Sequence, residues 1–417
     1  MRRPDRIECL YLDFDGFFAS VMQQAMPSLR GRPVGVIPFD IDDTNRTSVI
    51  ACSREAKAMG VKNVMPVTEA RRLCPELLLV PQRPDLFRRA HNTLLNEISC
   101  ELPIDTVKSI DELACRLDAA QAAQPEDLST RIKRRLAANV GPYITCSIGM
   151  AANRLLAKTA CKMDKPDGTT IWHPRDMPGP LLKVKIEDIS GIGPQLERRL
   201  VRAGVGTMAQ LLALQPKQMR ALWGNVTGER MWYALHGYDV KAMPTGRSMY
   251  GHGRVLSPEL RALPRAEECS RLLLVKAARR MRRDGWYARG LHLWISLFDK
   301  GWSATRTMPS VNDDHACLEA LGALWTQARA ALPARGRVMR VGVALMDLTP
   351  ADHRQLDFLL DDDRERWRWE RLTNTMDGLN AKFGKRVIHL GDWRPPPGGF
   401  AGGKIAFTRI PSAEDFW

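Results

Sequence analysis

The 417-residue sequence contains no apolar run near the 20 residues that a helix needs to cross a bilayer, which excludes a spanning helix. Its opening, "MRRPDRIECLYLDFDG", places basic side chains before an apolar run, but Glu8 and Asp13 break that run, so no signal peptide is expected. The nine cysteines include no C-x-x-C pair and are odd in number. Both facts argue against a disulfide framework or a thiolate zinc site and for reduced thiols in a cytosolic protein. The eight histidines show no metal-ligand spacing. Any metal is therefore expected on carboxylates, whose hard oxygens suit Mg2+ or Mn2+. Acidic charge is also short: 47 Asp and Glu stand against 62 Lys and Arg, a formal net charge of +15. Such a balance points to a polyanionic partner and leaves DNA, RNA and an anionic membrane open.

What is present is globular. The chain is 44% hydrophobic and 26% charged, without Gln, Ser or Gly bias, and its length predicts two to four domains. From residue 7 to about 165, short apolar runs alternate with amphipathic segments. "VTEARRLCP" (67–75) reads as a helix ended by proline, and "DLFRRAHNTLLNEISCEL" (85–102) as a helix with its arginines on one face. "TVKSIDELACRLD" (106–118) and "YITCSIGMA" (143–151) read as strands, and "DLSTRIKRRLAANVG" as a helix. This alternation predicts an α/β or α+β core. Residues 174–240 become short helices separated by glycine turns. Between 248 and 350 the pattern predicts strand 249–256, helix 265–283, strands 289–298 and 302–308, helix 314–331 and strand 337–348, a βαββαβ unit. The tail is acidic at "LLDDDRER", then helical, then rich in Pro and Gly, and much of it is expected to be mobile or to order on a partner.

Four stretches carry chemistry. "YLDFDGFFASV" (11–21) ends a buried strand on Asp13 and Asp15, an arrangement that costs free energy unless the charge meets a cation or hydrogen-bond donors. "SIDE" adds Asp111 and Glu112, which as neighbours reach one site only at a strand end or bulge. With Asp13 they make three carboxylates from two strands, the kind of cluster that two ions in phosphoryl transfer require. "CSREAKAMGVK" (52–62) offers Arg54 and Lys57 on neighbouring turns, and "KMDKPDG" (162–168) brings Lys162 and Lys165 behind Lys158; either group suits a triphosphate. "SGIGPQLERRL" (190–200) sets Gly191 and Gly193 in a tight turn before a helix, with Arg198 and Arg199 close behind. This is a helix-hairpin-helix signature for gripping a nucleic-acid backbone without reading bases.

Together, and in this order, these motifs resemble the Y-family, or translesion, DNA polymerases over roughly residues 7–350. The resemblance implies an α+β right-hand fold: palm and fingers in 1–173 (fingers about 25–80), a helix-hairpin-helix thumb in 174–240, a βαββαβ little finger in 241–350, and a tail in 351–417. It implies two Mg2+ ions, replaceable by Mn2+, on Asp13, the backbone carbonyl of Phe14, Asp111 and Glu112. Phe18 falls at the steric gate that excludes a ribose 2′-hydroxyl, with Phe17 beside it, and Asp15 is a local structural carboxylate. Lys165, Arg54 and Lys57 would meet the triphosphate. Primed template DNA and deoxynucleoside triphosphates are the implied partners, in the cytoplasm at the nucleoid. "RQLDFLL" (354–360) resembles peptides that dock on the bacterial sliding clamp through Gln355, Leu356, Phe358 and Leu359. The tail "RQLDFLL…RLTNTMDGLNAKFGKRVIHLG" is similar to the UmuC branch, the catalytic subunit of bacterial polymerase V, which implies a UmuD-like accessory dimer and a recombinase filament as partners.

Three departures stand out. Arg54 and Lys57 occupy positions where the family usually carries Tyr and Arg, so a hydroxyl is lost and a bidentate group becomes a point charge. Cys115, with Ala114 before it, stands in place of the aromatic that usually follows "SIDE" by two residues, and the glutamate common after the gate is missing in "SVMQQAM". Two other readings compete: a D-x-D-G phosphatase using Asp13 and Asp15, and a non-catalytic DNA-binding scaffold.

Overall fold

The computed structural model describes residues 1–38, 44, 47–243, 246–353, 363–391 and 410–412. Met1–Met243 make one compact unit, and a second begins after it.

In the first unit β1 (Cys9–Phe14) is apolar and buried almost throughout, and it runs into α1 (Phe17–Ala25) across Gly16. Gly16 has φ +55°, and a Cβ there would stand 3.2 Å from the Cys52 carbonyl oxygen, so glycine is what lets strand turn into helix. A small region follows: β2 (Val34–Ile37), β3 (Ser48–Val49), β4 (Ala51–Cys52), α2 (Arg54–Ala58), β5 (Met65–Pro66), α3 (Val67–Leu73) and β6 (Leu78–Pro81). Its strands pair in the order β4-β2-β6, with β3 and β5 as a separate pair, over a core that includes Val49, Ala56, Val61 and Val67.

The chain then returns through α4 (Pro84–Ser99), β7 (Thr106–Val107), β8 (Glu112–Arg116), α5 (Ala119–Ala123), α6 (Pro125–Asn139), β9 (Cys146–Ala151), α7 (Arg154–Cys161) and β10 (Thr169–Ile171). These strands and β1 form one sheet in the order β10-β9-β1-β8-β7, with β1 central and antiparallel to both neighbours. The single strand expected over 106–118 is instead a hairpin, because Lys108 and Ser109 both donate backbone N–H groups to the Glu112 carbonyl. The helix α7 lies directly on β9. A Cβ on Gly149 would come within 2.1 Å of the Ala157 carbonyl oxygen, so only glycine allows that approach.

Residues beyond 174 supply α8 (Pro194–Arg202), α9 (Met208–Ala213), α10 (Pro216–Trp223) and α11 (Val226–Leu235). Their apolar side chains, among them Leu200, Leu211, Met219 and Leu235, share one cluster with Leu156, Ala157 and Ala160 of α7. The sheet and these helices are thus joined through a common core.

The second unit has the βαββαβ order that the pattern predicts: β11 (Met249–Val255), α12 (Leu263–Arg283), β12 (Trp286–Ser296), β13 (Gly301–Val311), α13 (Asp314–Ala331) and β14 (Arg340–Pro350). The antiparallel sheet runs β11-β14-β12-β13, and Leu291, Leu293, Val341 and Val343 bury against Leu273, Leu274, Leu321 and Trp325. The tail contains the expected helix, and this part of it is seated on the second unit. Helix α14 (Asp363–Phe383) packs on this unit, with Thr373 and Met376 buried, and Asp377 paired to the buried Arg282 of α12. That ion pair gives the charged tail helix a fixed seat. The clamp-like residues Gln355, Leu356, Phe358 and Leu359 lie outside the described residues. Among the described residues no helix is long and apolar enough to cross a membrane.

Candidate active site

The sheet brings the predicted carboxylates to one place. Asp13 is the cross-strand partner of Glu112, and Asp111 stands just before β8, its carbonyl accepting the Phe14 N–H at 2.8 Å. Asp111 and Glu112 therefore occupy a strand end, where adjacent residues can face one site. Ser109 Oγ donates to Asp111 Oδ1 at 2.6 Å, and the buried His91 ring holds the Ile110 carbonyl through Nδ1 at 2.7 Å. His91 was missed from sequence: it sits on α4 in an ordinary amphipathic pattern, and only the fold carries it to this loop.

Two lysines face the acids. Lys165 pairs with Asp13 and lies 4.0 Å from Asp15. Lys158 contacts both oxygens of Glu112 at 2.8 Å. Lys162 turns away and donates to the Asp188 carbonyl at 3.0 Å. Burial is the main influence on Asp13 and pushes its pKa up to about 6; Asp111 and Glu112 push the same way, and Lys165 only partly offsets them. Burial also raises Glu112, but the hydrogen bonds and charge of Lys158, helped by Tyr11, outweigh it and leave the group below the ordinary range.

Asp15 behaves differently from Asp13. It accepts from Ser147 Oγ at 2.8 Å, Thr145 Oγ1 at 3.1 Å and the Asp167 N–H at 2.9 Å. With three donors on it this carboxylate has a structural role, which is not the one the D-x-D-G phosphatase reading needs of its second residue. Asp15 instead ties the 162–168 loop to the sheet and so places Lys165. Gly168 tightens the same loop, since a Cβ there would stand 1.7 Å from the Asp164 carbonyl oxygen.

On the other side of the strand end, α1 presents two aromatic rings. Phe17 is buried among Phe14, Phe18 and Phe87, which places it behind Phe18 rather than on a surface that a nucleotide would meet. Phe18 is half-buried and rests on Phe87 of α4, with ring centres 4.8 Å apart. Phe87 is a second residue that sequence reading missed. Arg54 and Lys57 are exposed on α2, whose first turn Ser53 caps by accepting from the Ala56 N–H. Glu55 turns inward to Gln23 of α1 at 3.0 Å and so fixes the rotation that leaves both cations outward. A Cβ on Gly16 would be 3.9 Å from Lys57 Nζ, so this ammonium hangs over the start of α1.

Further along, Gly191 has φ +101° and Gly193 begins α8 with no side-chain cap, leaving that helix start open. Arg198 and Arg199 are exposed, but each also has a structural bond: Arg198 Nε to the Pro194 carbonyl, and Arg199 to the Leu222 carbonyl of α10 at 2.9 Å.

The impB/mucB/samB family matches residues 12–162, and its C-terminal domain matches residues 247–358. A DNA polymerase IV of Moorella thermoacetica is 33% identical over 393 residues, covering 91% of this chain and 94% of that protein. This chain belongs to the Y-family of DNA polymerases. A DNA polymerase IV 1 of Bacillus subtilis is 28% identical to the polymerase described here, with 91% and 92% coverage. Among solved structures, the Y-family DNA polymerase chimera Dbh-Dpo4(243-245)-Dbh shares the fold at TM-score 0.66 and 22% identity, covering 82% of this chain and 99% of that one. The insertion ternary complex of Dbh DNA polymerase gives TM-score 0.54 at 23% identity, covering 81% and 98%. These relatives are named DNA polymerase IV or Dbh, so the UmuC-branch placement drawn from the tail gains nothing from them.

Among the described residues no three His, Cys, Asp or Glu side chains stand close enough together to hold a metal ion, and lysines engage Asp13 and Glu112. The donor set nevertheless suits hard divalent cations. It is all oxygen, and its three acids outnumber the two lysines that face them.

Proposed function

We propose that this Y-family member adds deoxynucleotides to a primer under the direction of a template, in synthesis past DNA damage. The observation that supports this most is the juxtaposition of Asp13, Asp111 and Glu112 at the end of the central sheet, faced by Lys165. Asp13, the Phe14 carbonyl, Asp111 and Glu112 would hold two Mg2+ or Mn2+ ions, which supply positive charge for the attacking and leaving oxygens of phosphoryl transfer.

Lys165, placed by Asp15, meets the triphosphate from the palm side, and Arg54 and Lys57 meet it from α2. Phe18, backed by Phe17 and Phe87, fills the space that a ribose 2′-hydroxyl would need. The open start of α8 at Gly191 and Gly193, with Arg198, takes the DNA backbone through N–H groups and charge. Arg199 mainly braces α8 to α10. The net charge of +15 fits a substrate whose affinity comes from phosphates.

The test is primer extension with four deoxynucleotides and Mg2+ or Mn2+, beside an Asp111→Ala variant. Incorporation should fall by at least ~10³-fold in the variant, about 4 kcal/mol of transition-state stabilisation, with DNA binding retained. Retained incorporation would remove the carboxylate assignment. Extension absent from wild type despite firm DNA binding would favour the scaffold. Phe18→Ala should admit ribonucleotides about 10- to 100-fold more readily, measured as the ratio of ribo- to deoxynucleotide incorporation.

The clamp-docking reading rests on "RQLDFLL" alone. Loss of clamp-stimulated synthesis in a Gln355→Ala, Leu356→Ala variant is its check. The accessory dimer and the recombinase filament follow only from the UmuC likeness of the tail, and whether extension requires them decides that likeness.

A further inference from the structure

Glu112 is held by a group that no motif assigned. Tyr11 lies two residues before Asp13 on β1, so the two side chains leave the same face of the sheet. Its Cα pairs with Ala114 on β8 and with Gly149 on β9. The residue is 2% exposed and sits in the cluster formed with Leu156, Ala157 and Ala160. Only the hydroxyl leaves that apolar setting. It stands 3.0 Å from Glu112 Oε2 and 3.0 Å from Lys158 Nζ, while Lys158 closes the triangle on both Glu112 oxygens.

The direction of each bond follows from the groups. An ammonium only donates, so Lys158 donates to the Tyr11 oxygen, and the Tyr11 O–H donates to Glu112. The two partners differ in stiffness. Lys158 is a point charge on a flexible stem and can follow a carboxylate through several rotamers. Tyr11 cannot, because its ring is packed on all sides and its oxygen is carried to a fixed point. Of the two, only Tyr11 can define where a Glu112 oxygen stands.

We propose that Tyr11 is the positioning residue for Glu112, its buried ring presenting a hydroxyl that holds one carboxylate oxygen while the side chain awaits a divalent cation. This inference rests on the assignment of Glu112 to the cation site, and its test separates the two. Tyr11→Phe keeps the ring and deletes one oxygen. In it, Mn2+ binding to the free protein, followed by the electron spin resonance signal of unbound Mn2+, should weaken about tenfold, the low end of what outer-sphere partners of metal ligands contribute. The Mg2+ concentration for half-maximal primer extension should rise by the same factor, with the rate at saturating Mg2+ within about twofold of wild type.

Unchanged Mn2+ binding and unchanged Mg2+ requirement would overturn the proposal with the polymerase reading intact. A fall in saturating rate with no change in either metal measurement would assign Tyr11 to packing alone and overturn it as well. Glu112→Gln binding Mn2+ as wild type would instead remove Glu112 from the site, and the proposal with it.

Discussion

The molecule holds buried charge in two places, and it does so in opposite ways. In the second unit Arg282 is sealed between α12, α13 and α14 with its side chain 3% exposed, bonded to Asp314 at 2.7 Å, to Asp377 at 2.7 Å and to the Asn312 carbonyl at 2.7 Å. A rigid guanidinium fork meets two carboxylates in a setting closed to water. At the end of the central sheet, three carboxylates meet two lysines whose side chains are 23% and 34% exposed. Those ammonium groups are point charges on flexible stems, partly open to solvent, that another cation can displace. The sealed arrangement suits an ion pair that holds helices together; the open, acid-rich one suits a site kept short of positive charge until a ligand brings it.

The contrast predicts a double dissociation. Arg282→Met leaves Asp314 and Asp377 without their cation and should lower the stability of the second unit by about 3–5 kcal/mol, read from denaturant unfolding, while the extension rate at a permissive temperature stays near wild type. Asp111→Ala should do the reverse, abolishing extension while leaving stability unchanged or slightly higher, since it relieves like-charge repulsion. If Arg282→Met unfolds no more easily than wild type, the sealed cluster is not structural and the comparison breaks.

A smaller effect sharpens it through pH. Asp13 rises in the fold to about 6, above its ordinary value, so the stability linked to its bound proton is present in acid and is lost as pH rises through about 6. Asp13→Asn should therefore raise the melting temperature of the metal-free protein at pH 8 and have little effect at pH 4. An equal shift at both values would mean that its ionised form costs the fold nothing.

Much of this was legible in the sequence because particular residues leave local signals. Alternating apolar runs marked β1, β9 and the βαββαβ order, and the Asp13 and "SIDE" carboxylates announced a site by standing where charge is expensive. Other features left none. Tyr11 read as one more apolar strand residue, since nothing local shows that a hydroxyl emerges beside Glu112. The hairpin at 106–116 was hidden because "VKSID" carries no glycine or proline to punctuate its turn. Arg199 looked like a phosphate ligand but also braces α10. The seat of the tail helix was hidden because its anchor, Asp377, is an ordinary surface acid until Arg282 is seen opposite it.

Gly149 has a mechanical consequence. With no side chain between them, β9 and α7 touch backbone to backbone, and the Cys161 amide nitrogen would be 2.2 Å from any added Cβ. Lys158 rides on that helix, and the loop bearing Lys165 leaves its end. Both cations facing the carboxylates therefore share one mount, and its thickness is set by a hydrogen atom. A single methyl group at position 149 would lift the helix and move both charges off the site together, so this glycine gauges the gap across which the two lysines reach.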